Sequence, residues 1–189
     1  MKLLVRGGSI AAGYGVRKGY VDTVAAALQP RRIEVINRSR FRETSFDGIA
    51  TFDEDIAPCR PQILLIHFGV DDAFHPVYRS EFQENLVRLI RLSRRRFDPL
   101  ILLATSHTFD NPHDMEAVAI YYRSLRIVAS DLACVLVPVH LRWAGYLSEN
   151  GLSGADLVQP DDRHPNERGH QVIAEAVMTT IREVLQLSF

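Results

Sequence analysis

Five short apolar runs punctuate the chain, at Leu3 to Val5, Ile33 to Ile36, Ile63 to His67, Leu100 to Ala104 and Ala133 to Val137. Each is aliphatic and lacks strict polar alternation, which predicts strands covered on both faces, as in a parallel sheet. Between them the spacing predicts helices over Tyr20 to Leu28, around Phe46 to Ile56, over Val77 to Arg95 and over Asp114 to Asp131. A last helix is predicted from Pro165 to about Leu187, with Pro165 at the first helical position and Ile173, Ala176, Val177, Ile181, Val184 and Leu185 as its inward stripe. Parallel neighbours need crossover connections, and the helices of those crossovers cover the sheet. The pattern therefore predicts a three-layer α/β/α fold around a five-stranded parallel sheet, with its ligand crevice beyond the C-terminal ends of the strands.

Composition adds limits. The 189 residues are 47% apolar and 24% charged, which suits one domain spanning residues 1–189. A formal net charge of -1 offers no field toward nucleic acid or an anionic membrane, so neither is expected as a partner. Cys59 and Cys134 stand far apart without a pairing or metal-ligand rhythm, and both are expected to be buried thiols in a reducing compartment. The apolar run at the N-terminus is too short for a secretory signal, and no later run reaches membrane-spanning length. A cytoplasmic location is the resulting expectation. Nothing in the pattern specifies an oligomeric state.

The chemistry concentrates after strands. Near the C-terminus, Asp161-Asp162-Arg163-His164-Pro165-Asn166 puts a carboxylate three residues before a histidine at a helix mouth, and an imidazole held by a carboxylate can activate a hydroxyl. Asp162 is the alternative partner for that imidazole. A candidate nucleophile lies in the loop after the first strand, Gly7-Gly8-Ser9-Ile10-Ala11-Ala12-Gly13-Tyr14-Gly15. Two further post-strand segments, Asn37-Arg38-Ser39-Arg40-Phe41-Arg42-Glu43-Thr44 and Gly69-Val70-Asp71-Asp72, complete the set.

Taken in order, these four segments resemble the four sequence blocks of the SGNH hydrolases, also called GDSL esterases and lipases. The resemblance implies a flavodoxin-like fold and a serine ester hydrolase that needs neither metal nor organic cofactor. It implies Ser9 as nucleophile, His164 as base, Asp161 as the partner that orients the imidazole, and Arg42, Gly69 and Asp71 around the oxyanion or substrate. The chain departs from the family pattern at four positions. Gly8 replaces the usual aspartate, Ser39 and Arg42 stand where glycines are expected, and Asp71 replaces an asparagine whose amide donates to the oxyanion. A carboxylate lacks that donor. Because Arg42 and Asp71 exchange neutral groups for opposite charges, a pairing of the two side chains is expected.

Two function classes follow. One is an esterase acting on a small ester such as an O-acylated carbohydrate, with transfer of the acyl group to a carbohydrate hydroxyl as its variant. The other is a non-catalytic ligand-binding protein on the same fold, in which Arg42 and Asp71 shape a polar pocket. Elsewhere, Ser106 to Asp114 reads as a turn and helix start, not a metal site, with His107 or Phe109 against the ligand. His67 reads as a buried, satisfied histidine, and His170 projects from the last helix with nothing to assign it a role. Arg91 to Arg96 reads as a solvated helix end. Trp143 and Tyr146 fit either an aromatic wall or the core.

Overall fold

The computed structural model describes residues 1–75 and 77–186. In chain order the sheet and its helices are β1 Lys2–Gly7, α1 Ser9–Ala12, α2 Tyr20–Leu28, β2 Glu34–Asn37, α3 Ser45–Ala50, β3 Ile63–His67, α4 Val70–Phe74, α5 Arg79–Phe97, β4 Leu100–Ala104, α6 Pro112–Asp131, β5 Val135–Val137, α7 Val139–Asn150 and α8 Glu167–Leu185. The five strands are parallel and ordered β2-β1-β3-β4-β5, the flavodoxin-like order. Leu187, the expected end of the last helix, lies outside the described residues.

Side-chain alternation divides the core between two layers. Leu3, Val5, Ile63, Leu65, Leu102, Ala104 and Val137 face one cluster, which α2, α7 and α8 complete. Leu4, Leu64, Ile66, Ile101 and Leu103 face the other, under α5 and α6. Burying each Leu or Ile contributes about 1.5–3 kcal/mol, so a sheet clad on both sides explains why its strands carry apolar residues at consecutive positions. No helix of the described residues is long and apolar enough to cross a membrane.

Three helices were not anticipated by the apolar pattern: α1 and α4, each at most five residues long, and α7. The short pair are the first turns of the post-strand loops. In α7, Trp143 is fully buried beside Val139, so it belongs to the core and is no aromatic wall, while Tyr146 packs at the edge of the same cluster. Pro165 also departs from expectation. The Asn166 side chain accepts from the Gly169 N–H at 3.0 Å and caps α8, which leaves Pro165 outside the helix, paired with Val158 in an isolated bridge. Beyond α3 the chain widens into a π-helical turn at Phe52–Ile56 instead of extending the α-helix. Cys59 is a buried free thiol, as expected, whereas Cys134 is only half-buried.

Arg94, Arg95 and Arg96 occupy the last turn of α5, where cations complement the helix dipole. Arg96 pairs with Asp53 at 2.6 Å, and Arg94 donates to the Ala133 carbonyl at 3.3 Å.

Candidate active site

The strand order reverses between β1 and β3, and their register pairs Gly7 with His67. The loops leaving these two strands therefore emerge side by side, at the switch point where open α/β sheets place ligands. Ser9 follows β1 and Asp71 follows β3.

Three hydrogen bonds converge on the Ser9 N–H and Oγ. The backbone N–H donates to Asp71 Oδ2 at 2.7 Å, the hydroxyl donates to Asp71 Oδ1 at 2.7 Å, and Oγ accepts the Arg42 N–H at 2.9 Å. Arg42 sits in the left-handed region, with φ 64°, a conformation that favours glycine. That conformation aims its N–H at Ser9. The guanidinium turns away, lying 3.1–3.3 Å from His75 Nε2, while His75 Nδ1 lies 2.9 Å from the Asp71 carbonyl. The expected pairing of Arg42 with Asp71 is thus not made: the carboxylate faces Ser9 and the guanidinium faces His75.

Below this loop lies a buried cation. Arg6 on β1 is fully buried, pairs with Glu43, lies 3.5 Å from Asp55 and donates to Thr51 Oγ1 at 2.9 Å. Arg40 clasps the same two acids from outside, at 2.6 Å to Asp55 and 3.0 Å to Glu43. Burial would raise the Asp55 pKa, but the bonds from Arg40 and Thr51 and the nearby Arg6 charge outweigh it and hold the group below the carboxylate range. These contacts fasten both flanks of Arg42 to the sheet. Asp72, also fully buried, does the same for the third loop by accepting from the Ser45 and Gly69 N–H groups, both at 2.9 Å. Burial pushes its pKa up to about 6 despite those bonds.

His164 reaches the site from the turn before α8. Its Nδ1 lies 2.6 Å from Asp161 Oδ2, and its backbone N–H donates to Asp161 Oδ1 at 3.0 Å. A carboxylate only accepts, so Nδ1 carries the proton and Nε2 is the ring's basic nitrogen. Partial burial alone would raise the Asp161 pKa; bonds from His164 and from the Arg163 N–H more than offset it, and the group lies below the usual carboxylate range. Asp162 takes the corner of the turn, with φ 57°, so Asp161 and not its neighbour is the imidazole partner. Gln159 ties this turn to the first loop, donating to the Tyr14 carbonyl at 2.8 Å and the Pro165 carbonyl at 3.0 Å.

Ser9, Arg42, Asp71 and His164 line one cavity of about 240 Å³, with Phe41, Val70, Phe74, His75 and Arg163. Ser9 and His164 share that cavity, but the serine proton is directed to Asp71. Gly69 is not among its lining residues. Its N–H is engaged by Asp72 and a Cβ there would face Phe82 and Tyr121, so in this structure it shapes the turn, with φ 124°, and does not line the cavity. Arg163, which the sequence pattern gave no reason to select, bonds Asp114 at 3.2 Å and lies 4.2 Å above the Phe74 ring. It separates the Ser9 cavity from a polar cleft of about 590 Å³ lined by Thr108, Asp110, Asn111 and Asp114, with His164 shared between them.

His107 and Phe109 are buried, which overturns their expected contact with ligand. His107 packs between Phe109 and Trp143, with ring centroids 4.4 and 4.8 Å away. His67 bonds Tyr20 through Nδ1 at 2.9 Å, and its Nε2 lacks a partner among the described residues. His170 accepts the Tyr20 N–H at 3.2 Å. Burial depresses these three imidazoles to about 3, 3 and 4 for His67, His107 and His170. Among the described residues, no group of three or more His, Cys, Asp or Glu side chains is arranged to hold a metal ion.

Known proteins share this architecture. The sequence model of the GDSL-like Lipase/Acylhydrolase family matches residues 5–172. Esterase TesA of Pseudomonas aeruginosa is 27% identical over 188 residues, covering 97% of this chain and 89% of that protein. Two solved structures carry the same fold. Axe2, an acetylxylan esterase from Geobacillus stearothermophilus, aligns with a TM-score of 0.84 at 24% identity over 95% of this chain and 93% of its own. LAE5, an alpha/beta hydrolase from the metagenome of Lake Arreo, aligns with a TM-score of 0.83 at 24% identity over 95% and 94%.

Proposed function

Because the chain belongs to the GDSL-like lipase/acylhydrolase family and is an ester hydrolase, we propose that it cleaves a small ester through an acyl-enzyme on Ser9. The observation that carries this reading is the 2.6 Å contact of His164 Nδ1 with Asp161, on a ring that shares a cavity with Ser9. With Nδ1 fixed, His164 Nε2 takes the Ser9 proton as Oγ attacks the ester carbonyl carbon, and Asp161 stabilises the imidazolium. The N–H groups of Ser9 and Arg42 receive the oxyanion. Collapse of the tetrahedral intermediate expels the alcohol, protonated by His164. Water then attacks the acyl-enzyme, giving up a proton to His164, which returns it to Ser9 Oγ as the acid leaves.

An O-acylated carbohydrate is the substrate this site fits best. The 240 Å³ cavity accommodates a short acyl group, and the adjoining cleft offers Thr108, Asp110, Asn111 and Asp114 to a polyhydroxylated leaving group. The acetylxylan esterase activity named for Axe2 supports the same class. A sugar hydroxyl in that cleft could replace water as acyl acceptor without any change of catalytic residue. A second reading, a binding protein without turnover, is favoured by one observation, the engagement of the Ser9 hydroxyl by Asp71.

Labelling with a fluorophosphonate and hydrolysis of an acetylated xylo-oligosaccharide test the proposal together. Wild-type protein labels at Ser9 and releases acetate, and Ser9→Ala and His164→Ala do neither. Failure of the wild type in both assays transfers the case to the binding reading.

A further inference from the structure

We propose that Asp71 occupies the oxyanion site of the resting enzyme and so sets both its reactivity and its preference against carboxylates, an inference that rests on the Ser9 mechanism above. Its two oxygens take the Ser9 N–H and the Ser9 hydroxyl, each at 2.7 Å. That is the arrangement a product acid would adopt, one oxygen on an oxyanion donor and the other beside Oγ. The remaining donor, the Arg42 N–H, is spent on Oγ itself. An ester carbonyl therefore enters only as Asp71 leaves and Ser9 Oγ turns to His164.

Gly8 makes this pose possible. A Cβ at residue 8 would stand 2.1 Å from Asp71 Oδ2 and 2.5 Å from the Glu43 carbonyl oxygen, so a side chain there would have to displace both the carboxylate and the second loop. The two departures from the family pattern, a glycine at 8 and an acid at 71, therefore fit together: the bare backbone at 8 leaves room for the Asp71 carboxylate beside the Glu43 carbonyl. Asp71 cannot donate to an oxyanion while ionised, and it withdraws the Ser9 N–H as well, so it lowers the rate in two ways.

Asp71→Asn reverses both. Charge-assisted hydrogen bonds to Ser9 are replaced by weaker ones, and an amide donor is restored. The variant should label with fluorophosphonate faster than the wild type, by up to about a hundred- to a thousandfold, the scale of one oxyanion donor. The decisive measurement is binding of acetate alone, followed by calorimetry or by NMR shifts of the Ser9 amide, in wild type, Asp71→Asn and Asp71→Ala. Both variants should bind acetate at least tenfold more tightly, because the Ser9 N–H is released, and acetate should inhibit them where it spares the wild type. Asp71→Ala repeats the test if the asparagine variant misfolds. An acetate affinity unchanged or weakened in the folded variants overturns the inference, whatever labelling does. Tighter acetate binding with no labelling in any protein supports Asp71 as the group that keeps carboxylates from the Ser9 N–H, and removes the hydrolase reading together with the effect on rate.

Discussion

The Arg42 N–H reaches Ser9 Oγ across 2.9 Å only because Arg42 adopts a backbone conformation that its side chain disfavours. A left-handed non-glycine residue costs about 1–2 kcal/mol, and here the cost is met by the anchored Glu43 beside it. Arg42→Gly keeps the donor and removes the strain, while giving the unfolded chain more freedom. The expected result is unchanged esterase activity and a free energy of unfolding equal to or up to about 1 kcal/mol above the wild type. Urea denaturation and steady-state kinetics check this. A marked loss of activity would show that the guanidinium, at His75, takes part in the reaction.

Local patterns announced their structure, and long-range ones did not. Asp161 and His164 are three residues apart, so the turn that joins them is set by neighbouring residues and could be read from the chain. The strands were legible because burial on both faces demands unbroken apolar runs. The partner of Asp71 was not legible. Charge complementarity pointed to Arg42, but Asp71 meets residues 8 and 9 because the Gly7 to His67 register sets the two loops side by side, and register is a property of the assembled sheet. Likewise nothing next to Arg6 in the chain marks it as a buried cation. Its acids, Glu43 and Asp55, come from opposite sides of α3, the loop before it and the turn after it, and their convergence is a property of the folded chain.

Substitution at Asp161 should separate the two adjacent acids. Asp161→Asn removes the negative charge that stabilises the imidazolium and lets an amide N–H face Nδ1, which favours the wrong tautomer, and in serine triads this costs about four orders of magnitude in kcat. Asp162→Asn, at the corner of the turn, should leave kcat within about a factor of two, the variation of a surface change away from packing. Equal losses in both would mean that the turn acts by shape and not through the imidazole bond.

Arg6 offers a test of the buried ion cluster. Arg6→Leu strands Glu43 and Asp55 without their central cation, and breaking a buried pair from one side costs about 3–5 kcal/mol. Since Glu43 follows Arg42, kcat should fall along with stability, while Arg6→Lys, which supplies charge without the planar fork, should recover only part of either. A stable, fully active Arg6→Leu protein would show that the Arg40 contacts suffice to hold the loop.

The buried imidazoles make a prediction about acid. His67, His107 and His170 hold folded-state values near 3, 3 and 4, below the 6.5 of an unfolded histidine, chiefly because burial disfavours the charged ring. Between those limits the unfolded chain binds protons that the folded protein refuses, so unfolding becomes easier as pH falls. The stabilising contribution is complete above pH 6.5 and declines through the range from 6.5 toward 4, by up to about 1.4 kcal/mol per pH unit for each ring. Asp161 and Asp55 act in the same direction at lower pH. Their depressed values stabilise the fold above the ordinary carboxylate range, and that contribution is lost as pH falls through the folded values. Urea denaturation at pH 7.5 and pH 5.0 should therefore show a clear loss of stability, smaller by about one histidine's share in His107→Phe. A free energy of unfolding that stays constant over this interval would mean that these rings are hydrated or already protonated in the folded state.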